Sequence, residues 1–327
     1  MLTETLLTVK NLKKYFPVKS GVVFAKTVGQ VKAVDGISFH VAKGETLGIV
    51  GESGCGKSTL GKTILRLEEP TEGEIWFKGT DIAKLKAGEM RKIRRSLQMI
   101  FQDPYASLNP RMTVGRMLAE PLLLQNIGSF QERENKVKEL LGVVGLDAKH
   151  FNYYPHEFSG GQRQRIAIAR ALVCRPELII ADEAVSALDV SVQAQILNLL
   201  KELQEKFALT YIFISHNLPV IRYISDRIGV MYLGKMMELT AAEELFTKPL
   251  HPYTKGLLDA SPRLDRRRKT AVSILGLDVP SAANPPGGCV FHTRCPYCKE
   301  ICCREIPGLR EIRPGHQAAC HLLANKE

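Results

Sequence analysis

With 327 residues and 45% hydrophobic content, the chain is long enough to bury a full α/β core and to carry a smaller appendage. No run approaches the ~20 apolar residues that span a bilayer, and Met1-Leu2-Thr3-Glu4 lacks a signal-peptide pattern, so a soluble, cytoplasmic protein that reaches a membrane only through partners is expected. The net charge of +11 is scattered; its densest groups, Arg91-Lys92-Ile93-Arg94-Arg95 and Arg263 with Arg266-Arg267-Arg268-Lys269, read as solvated faces or surfaces near anionic lipid, and nucleic acid is not an expected partner.

In chain order, residues 1 to about 88 read as strands and turns, with Lys19 to Gln30 as an inserted hairpin or loop before a strand at Val31. The apolar run Thr46-Leu47-Gly48-Ile49-Val50 reads as a buried strand. Directly after it stands Gly51-Glu52-Ser53-Gly54-Cys55-Gly56-Lys57-Ser58-Thr59, a G-x-x-x-x-G-K-[ST] phosphate loop, and Lys57 opens a helix. Glycines let backbone N–H groups turn toward phosphate oxygens, and the helix N-terminus adds partial positive charge. Lys57 can reach the β- and γ-phosphates of ATP, and the Ser58 hydroxyl can coordinate Mg²⁺. Packing needs alone do not call for Gly-Lys-Ser at a strand-to-helix junction.

Residues from about 103 to 165 are rich in helix formers, as over 131–141, where the apolar positions fall mainly on one face. Phe158-Ser159-Gly160-Gly161-Gln162 then leads into a helix reaching Leu172. The run Leu178-Ile179-Ile180-Ala181 reads as a strand buried on both faces, ending in Asp182 and Glu183 where open α/β sheets bind ligands. Asp182 is expected to assist Mg²⁺ through its water shell, and Glu183 to act as general base on the attacking water. Another strand-like run, Thr210 to Ser215, precedes His216. An acidic turn or a histidine at a strand end is ordinarily only polar trim; the phosphate loop is what gives these a catalytic reading.

Beyond about residue 245, proline and glycine thicken at Pro249, Pro252, Pro280, Pro285-Pro286 and Gly287-Gly288, which argues for a loop-rich appendage. Six of the eight cysteines fall between 289 and 320. In a reducing compartment such a cluster reads as metal binding before disulfides, and a segment so poor in large apolar residues would draw much of its folding energy from the metal.

The phosphate loop together with Ser159-Gly160-Gly161-Gln162 resembles the ATP-binding-cassette (ABC) ATPases. The resemblance implies an α/β fold, a RecA-like core plus a helical subdomain at about 103–165. It implies that Ser159, Gly160, Gly161 and Gln162 close on the γ-phosphate of ATP held by a second cassette, and that Ser186-Ala187-Leu188-Asp189 communicates across that dimer. It makes His216 the switch histidine at the γ-phosphate and Gln102 the residue that links Mg²⁺ and attacking water to the transport machinery. Phe16, or its neighbour Tyr15, is placed to stack on adenine.

Three further stretches narrow the branch: Phe101-Gln102-Asp103-Pro104-Tyr105-Ala106-Ser107-Leu108-Asn109-Pro110-Arg111-Met112-Thr113-Val114, His251-Pro252-Tyr253-Thr254 with Leu257-Leu258, and the closing Asn284-Pro285-Pro286 to Cys320-His321. They resemble the ATP-binding subunits of the dipeptide/oligopeptide permeases, a family with a nickel-transporting branch. The resemblance implies residues 1–250 as the ATPase domain and 251–327 as a cysteine-rich C-terminal extension. It also implies two transmembrane permease subunits, a second ATPase subunit, an extracellular substrate-binding protein acting indirectly, and a peripheral position on the cytoplasmic face of the membrane. A permease helix is expected to dock beside Gln102, at Tyr105 to Arg111. In that family Cys289, Cys295, Cys302 and Cys320 would hold a [4Fe–4S] cluster; a four-thiolate zinc site is the alternative, and Cys298 and Cys303 are extra. Such an extension is expected to support assembly or sense redox state rather than join hydrolysis. The sequence departs from the family at Phe158, where leucine is commoner, at Ala184, where proline is usual, and at Ile274 to Pro280. The reading from another class is a soluble cassette ATPase acting on nucleic acid, ribosomes or iron–sulfur assembly, but it calls for a heptad insertion, a second cassette in the chain or an end near residue 250.

Overall fold

The computed structural model describes residues 4–20, 26–103, 107–260 and 280–323. The chain divides into two compact units, one from Ala42–Glu45 and Lys84–Ile214, the other from Thr5–Val41, Thr46–Ala83 and the residues from Ser215 onward. In chain order the strands are β1 (Thr5–Ser20), β2 (Lys26–Ala42), β3 (Thr46–Val50), β4 (Glu72–Phe77), β5 (Thr80–Asp81), β6 (Leu97–Ile100), β7 (Leu178–Asp182), β8 (Thr210–Ile214), β9 (Arg227–Tyr232), β10 (Lys235–Ala241), β11 (Arg310–Arg313) and β12 (His316–Ala318).

The first unit holds a parallel sheet. β7 pairs with β6 from Leu97↔Leu178 to Ile100↔Ala181, and with β8 from Leu178↔Thr210 to Asp182↔Ile214. Every residue of β7 and β8 is buried, so both read as nearly unbroken apolar runs rather than alternating ones. Helix Val190–Phe207 buries Ile196, Leu197, Leu199, Leu200 and Leu203, a stripe at three-to-four spacing, and stops where Ala208 turns left-handed at φ 51°. Helix Phe130–Val143 covers the expected 131–141 and begins at a Ser129/Glu132 capping box.

The second unit holds two sheets. In one, β1 lies between β2 and β4, with β5 beyond β4. The antiparallel β1–β4 register of Leu7↔Phe77 and Val9↔Ile75 sends alternate side chains into the core. The expected hairpin or loop at Lys19 to Gln30 falls where β1 runs through Ser20 and β2, its neighbour in the sheet, resumes at Lys26; 21–25 lie outside the described residues. In the other sheet β3 pairs in parallel with β9, which pairs antiparallel with β10.

The C-terminal segment then adds β12 to β10 at Glu238↔Ala318 and Leu239↔Gln317, with β11 outside it. Its loop-rich reading is therefore incomplete, and it also brings apolar anchors: Val290, Phe291, Ala318 and Ala319 are buried. His316 pins it through polar contacts, its Nε2 2.7 Å from Glu238 Oε1 and its Nδ1 3.2 Å from Glu244 Oε2. Among the described residues, no helix is long and apolar enough to cross a membrane.

Candidate functional site

The phosphate loop is built where β3 ends and helix Lys57–Ile64 begins. Two glycines are required sterically. At Gly56, φ is 103° and an added Cβ would stand 1.9 Å from the Ala33 carbonyl oxygen; at Gly51 it would stand 2.2 Å from that of Met231. Ser53 and Gly54 are exposed at the turn, while Cys55 is buried beneath it. Lys57 is buried too, and its ammonium donates to the carbonyls of Gly51 (2.8 Å) and Glu52 (2.9 Å), with Cys55 Sγ at 3.7 Å. Burial pushes the Cys55 thiol above its ordinary pKa. A glycine cradle, a helix N-terminus and a buried ammonium suit a polyphosphate, and Ser58 and Thr59, half-buried in the first helical turn, offer the hydroxyls that Mg²⁺ takes as ligands.

The same unit carries His216, exposed just after Ser215, whose N–H donates to Ile49 of β3 at 3.1 Å. Phe16 is half-buried under the Lys14 ammonium, 4.7 Å from the ring centre, whereas Tyr15 donates its hydroxyl to Asp35 at 2.5 Å.

In the other unit, β7 delivers the carboxylates. Asp182 is buried; Glu183 is half-buried in a left-handed conformation at φ 48°, its N–H donating to Ile214 O at 2.9 Å. Gln102 donates from Nε2 to Glu183 Oε2 at 2.8 Å, so two residues 81 positions apart meet. Ser186 closes the turn, its Oγ donating to the Glu183 carbonyl at 3.0 Å. Ala184 is buried in this turn. Ser159 caps helix Gly160–Leu172: its Oγ accepts from Gln162 N–H at 3.4 Å, and Gln162 Oε1 accepts from Ser159 N–H at 3.0 Å. Phe158 is accounted for by edge packing on His150, centre to centre 5.1 Å. One expectation fails: Leu108 is buried, not on a docking surface, because its apolar side chain goes to the core while Asn109 and Pro110 face outward; Tyr105 lies outside the described residues.

Cys289, Cys302 and Cys320 are buried and Cys295 is half-buried. Burial pushes the Cys289 thiol up to about 11, and Cys302, Cys320 and Cys295 add to the rise, so the four share one neighbourhood. Cys298 and Cys303 are exposed, their Sγ atoms 3.9 Å apart. Among the described residues, no three His, Cys, Asp or Glu side chains converge closely enough to hold a single metal ion.

The extension also touches the phosphate loop. Arg294, between Cys289 and Cys295, places Nη1 2.7 Å from Glu52 Oε2 and Nη2 3.1 Å from Glu52 Oε1, with its side chain 1% exposed. Nη1 also donates to the Tyr232 hydroxyl at 3.3 Å, and the Glu52 N–H donates to the Tyr253 hydroxyl at 3.0 Å. Phe291 packs on both tyrosines, at 5.3 and 5.2 Å between ring centres. Burial alone would lower the Arg294 pKa, but its bonds to Glu52 and Tyr232 raise it above the ordinary value. Sequence reasoning missed Glu52 and Arg294, which stand 242 positions apart; no local pattern links them, and only the two flanking motifs hinted that the region mattered.

Comparison with known proteins agrees with this architecture. The profile of the ABC transporter family matches residues 34–186, and that of the oligopeptide/dipeptide transporter C-terminal region matches 237–302. The oligopeptide transport ATP-binding protein AppF of Bacillus subtilis is 60% identical over 322 residues, 98% of each chain. Among solved structures, the ATP-binding cassette MJ0796, a dimer in a post-hydrolysis state bound to ADP and Pi, matches with a TM-score of 0.64 at 32% identity, covering 72% of this chain and 99% of that one. CbiO1 of Clostridium perfringens, part of the ABC transporter complex cbiONQ, matches with a TM-score of 0.64 at 26% identity, covering 75% and 92%. This chain belongs to the ATP-binding subunits of the ABC transporter family, in the branch that carries the oligopeptide/dipeptide transporter C-terminal region.

Proposed function

We propose that the protein binds and hydrolyses ATP to power import of dipeptides or oligopeptides through two membrane permease subunits, working beside a second ATPase subunit on the cytoplasmic face of the membrane and fed by a substrate-binding protein. The observation that carries this reading is the pairing, in one chain, of a complete phosphate loop with the C-terminal region of the oligopeptide branch. In the proposed cycle Lys57 releases its loop carbonyls to donate to the β- and γ-phosphates, and the loop N–H groups of Ser53 to Thr59 cradle them. Ser58 and Gln102 would hold Mg²⁺, with Asp182 assisting through its water shell, and the bound ion would neutralise phosphate charge. Glu183 takes the proton from the attacking water, and Gln102 fixes the carboxylate that receives it. His216 donates to the γ-phosphate and Phe16 stacks on adenine. Ser159, Gly160, Gly161 and Gln162 present a capped helix N-terminus to the nucleotide of the second subunit.

We further propose that Cys289, Cys295, Cys302 and Cys320 bind a [4Fe–4S] cluster as thiolates. The shared neighbourhood of these thiols supports it. Protein purified anaerobically is expected to contain iron and acid-labile sulfide; stoichiometric zinc without sulfide gives the site to zinc instead. The transport reading is tested by reconstituting the chain with its copurifying permease subunits in vesicles. ATP-dependent peptide uptake is expected, and ATP hydrolysis with no peptide uptake by the assembled complex overturns the substrate assignment.

A further inference from the structure

We infer that Arg294 is a positioning residue of the nucleotide site: by clamping Glu52 it keeps a carboxylate of the phosphate loop neutralised and turned out, so that the loop can accept a polyanion. The inference deepens the ATP-binding reading and rests on it.

Glu52 is the second residue of a loop whose task is to gather phosphates, and a carboxylate there repels them. The structure holds this residue at three points. Its N–H is fixed by the Tyr253 hydroxyl, its carbonyl by Lys57, and its carboxylate by both arms of the Arg294 guanidinium. Two parallel charged hydrogen bonds fix direction as well as charge, which a lysine at the same place would not do. The guanidinium is itself held by Tyr232, and the wall behind it is Tyr232, Tyr253 and Phe291, none of them exposed. An arginine buried to 1% exposure against a carboxylate is not a solvated surface pair, whose contribution would be small.

Without Arg294 the Glu52 carboxylate stays on the same loop as Lys57, where it competes with phosphate for that ammonium. The cost should fall on nucleotide affinity. Turnover at saturating ATP should change little, because Arg294 touches no reacting atom. The cysteine-rich segment thereby becomes part of the nucleotide site's support rather than a separate appendage.

The test measures ATP affinity, and hydrolysis at saturating ATP, for the full-length chain in its assembled complex. Arg294→Met is expected to raise the ATP Kd about tenfold or more, with the rate at saturation within threefold of wild type. Arg294→Lys should fall between the two. Adding Glu52→Gln to Arg294→Met should return the Kd to within threefold of wild type, a rescue that simple packing damage would not give. If Arg294→Met does not fold, the rise in Kd caused by Arg294→Lys and its removal by Glu52→Gln carry the same test. Unchanged affinity in the single variants, or no rescue by Glu52→Gln, overturns the clamp. Wild-type protein that binds no ATP would instead defeat the ATP-binding reading itself.

Discussion

The turn after β3 and the turn after β7 begin alike, each at the end of a fully buried five-residue strand, and each contains a residue with positive φ. They are held by different forces. In the phosphate loop the constraint is steric: Gly56 faces the Ala33 carbonyl where no Cβ fits. In the carboxylate turn a glutamate occupies the left-handed region, and hydrogen bonds from Gln102 and to Ile214 hold it there. A turn fixed by sterics writes itself into the sequence as glycines. One fixed by hydrogen bonds can spend the strained position on the reactive side chain itself.

The largest expected effect comes from removing the base. Glu183→Gln should cut hydrolysis by ~10² to 10⁴ while ATP binding persists, measured as turnover in the assembled transporter; turnover within about threefold of wild type removes Glu183 from that role. Next is Gly56→Ala, which adds a Cβ against backbone that cannot yield. ATP binding should be lost and stability should fall by roughly 3 kcal/mol or more in a urea titration. A well-folded Gly56→Ala protein with wild-type affinity would mean that the loop is not sterically fixed.

The third prediction concerns pH. His251 is fully buried behind the phosphate loop, and its Nδ1 accepts from the N–H of Tyr253, the residue whose hydroxyl holds Glu52. Burial lowers its pKa from 6.5 to about 4. Because the folded value lies below the unfolded one, the unfolded chain takes the proton first. The contribution is complete above pH 6.5 and is lost as pH falls from 6.5 toward 4, on the order of 3 kcal/mol in all. Denaturation at pH 7 and pH 4.5 should show a smaller drop for His251→Asn than for wild type; parallel losses would exclude His251 as the cause. The smallest effect is expected at the other turn. Glu183→Gly abolishes the base yet relieves the left-handed backbone, so its stability should stay within about 1 kcal/mol of wild type. A loss as large as that of Gly56→Ala would erase the contrast between the two turns.

Much of the site was legible in the amino-acid order because its chemistry is local. β3, the phosphate loop and the start of helix Lys57–Ile64 follow from an apolar run, glycines and Gly-Lys-Ser within fourteen residues, and the observed elements begin and end where that pattern says. Ser159 and Gln162 are three residues apart, so their mutual capping is also a local matter. Asp182 and Glu183 announced themselves as carboxylates closing a buried strand. Leu108 was misplaced because a motif string names residue types, while only packing decides which of them face the core.

The pairings that join distant segments were settled by tertiary structure alone. The contact of Gln102 with Glu183 depends on β6 and β7 lying side by side. The C-terminal segment looked like turns and cysteines, since β12 becomes a strand only by finding β10, and His316 finds its two carboxylates only there. Arg294 is the extreme case. Nothing near it in sequence explains a buried guanidinium; its reason is Glu52, 242 positions away, and burying such a charge is tolerable only when the fold delivers the opposite one.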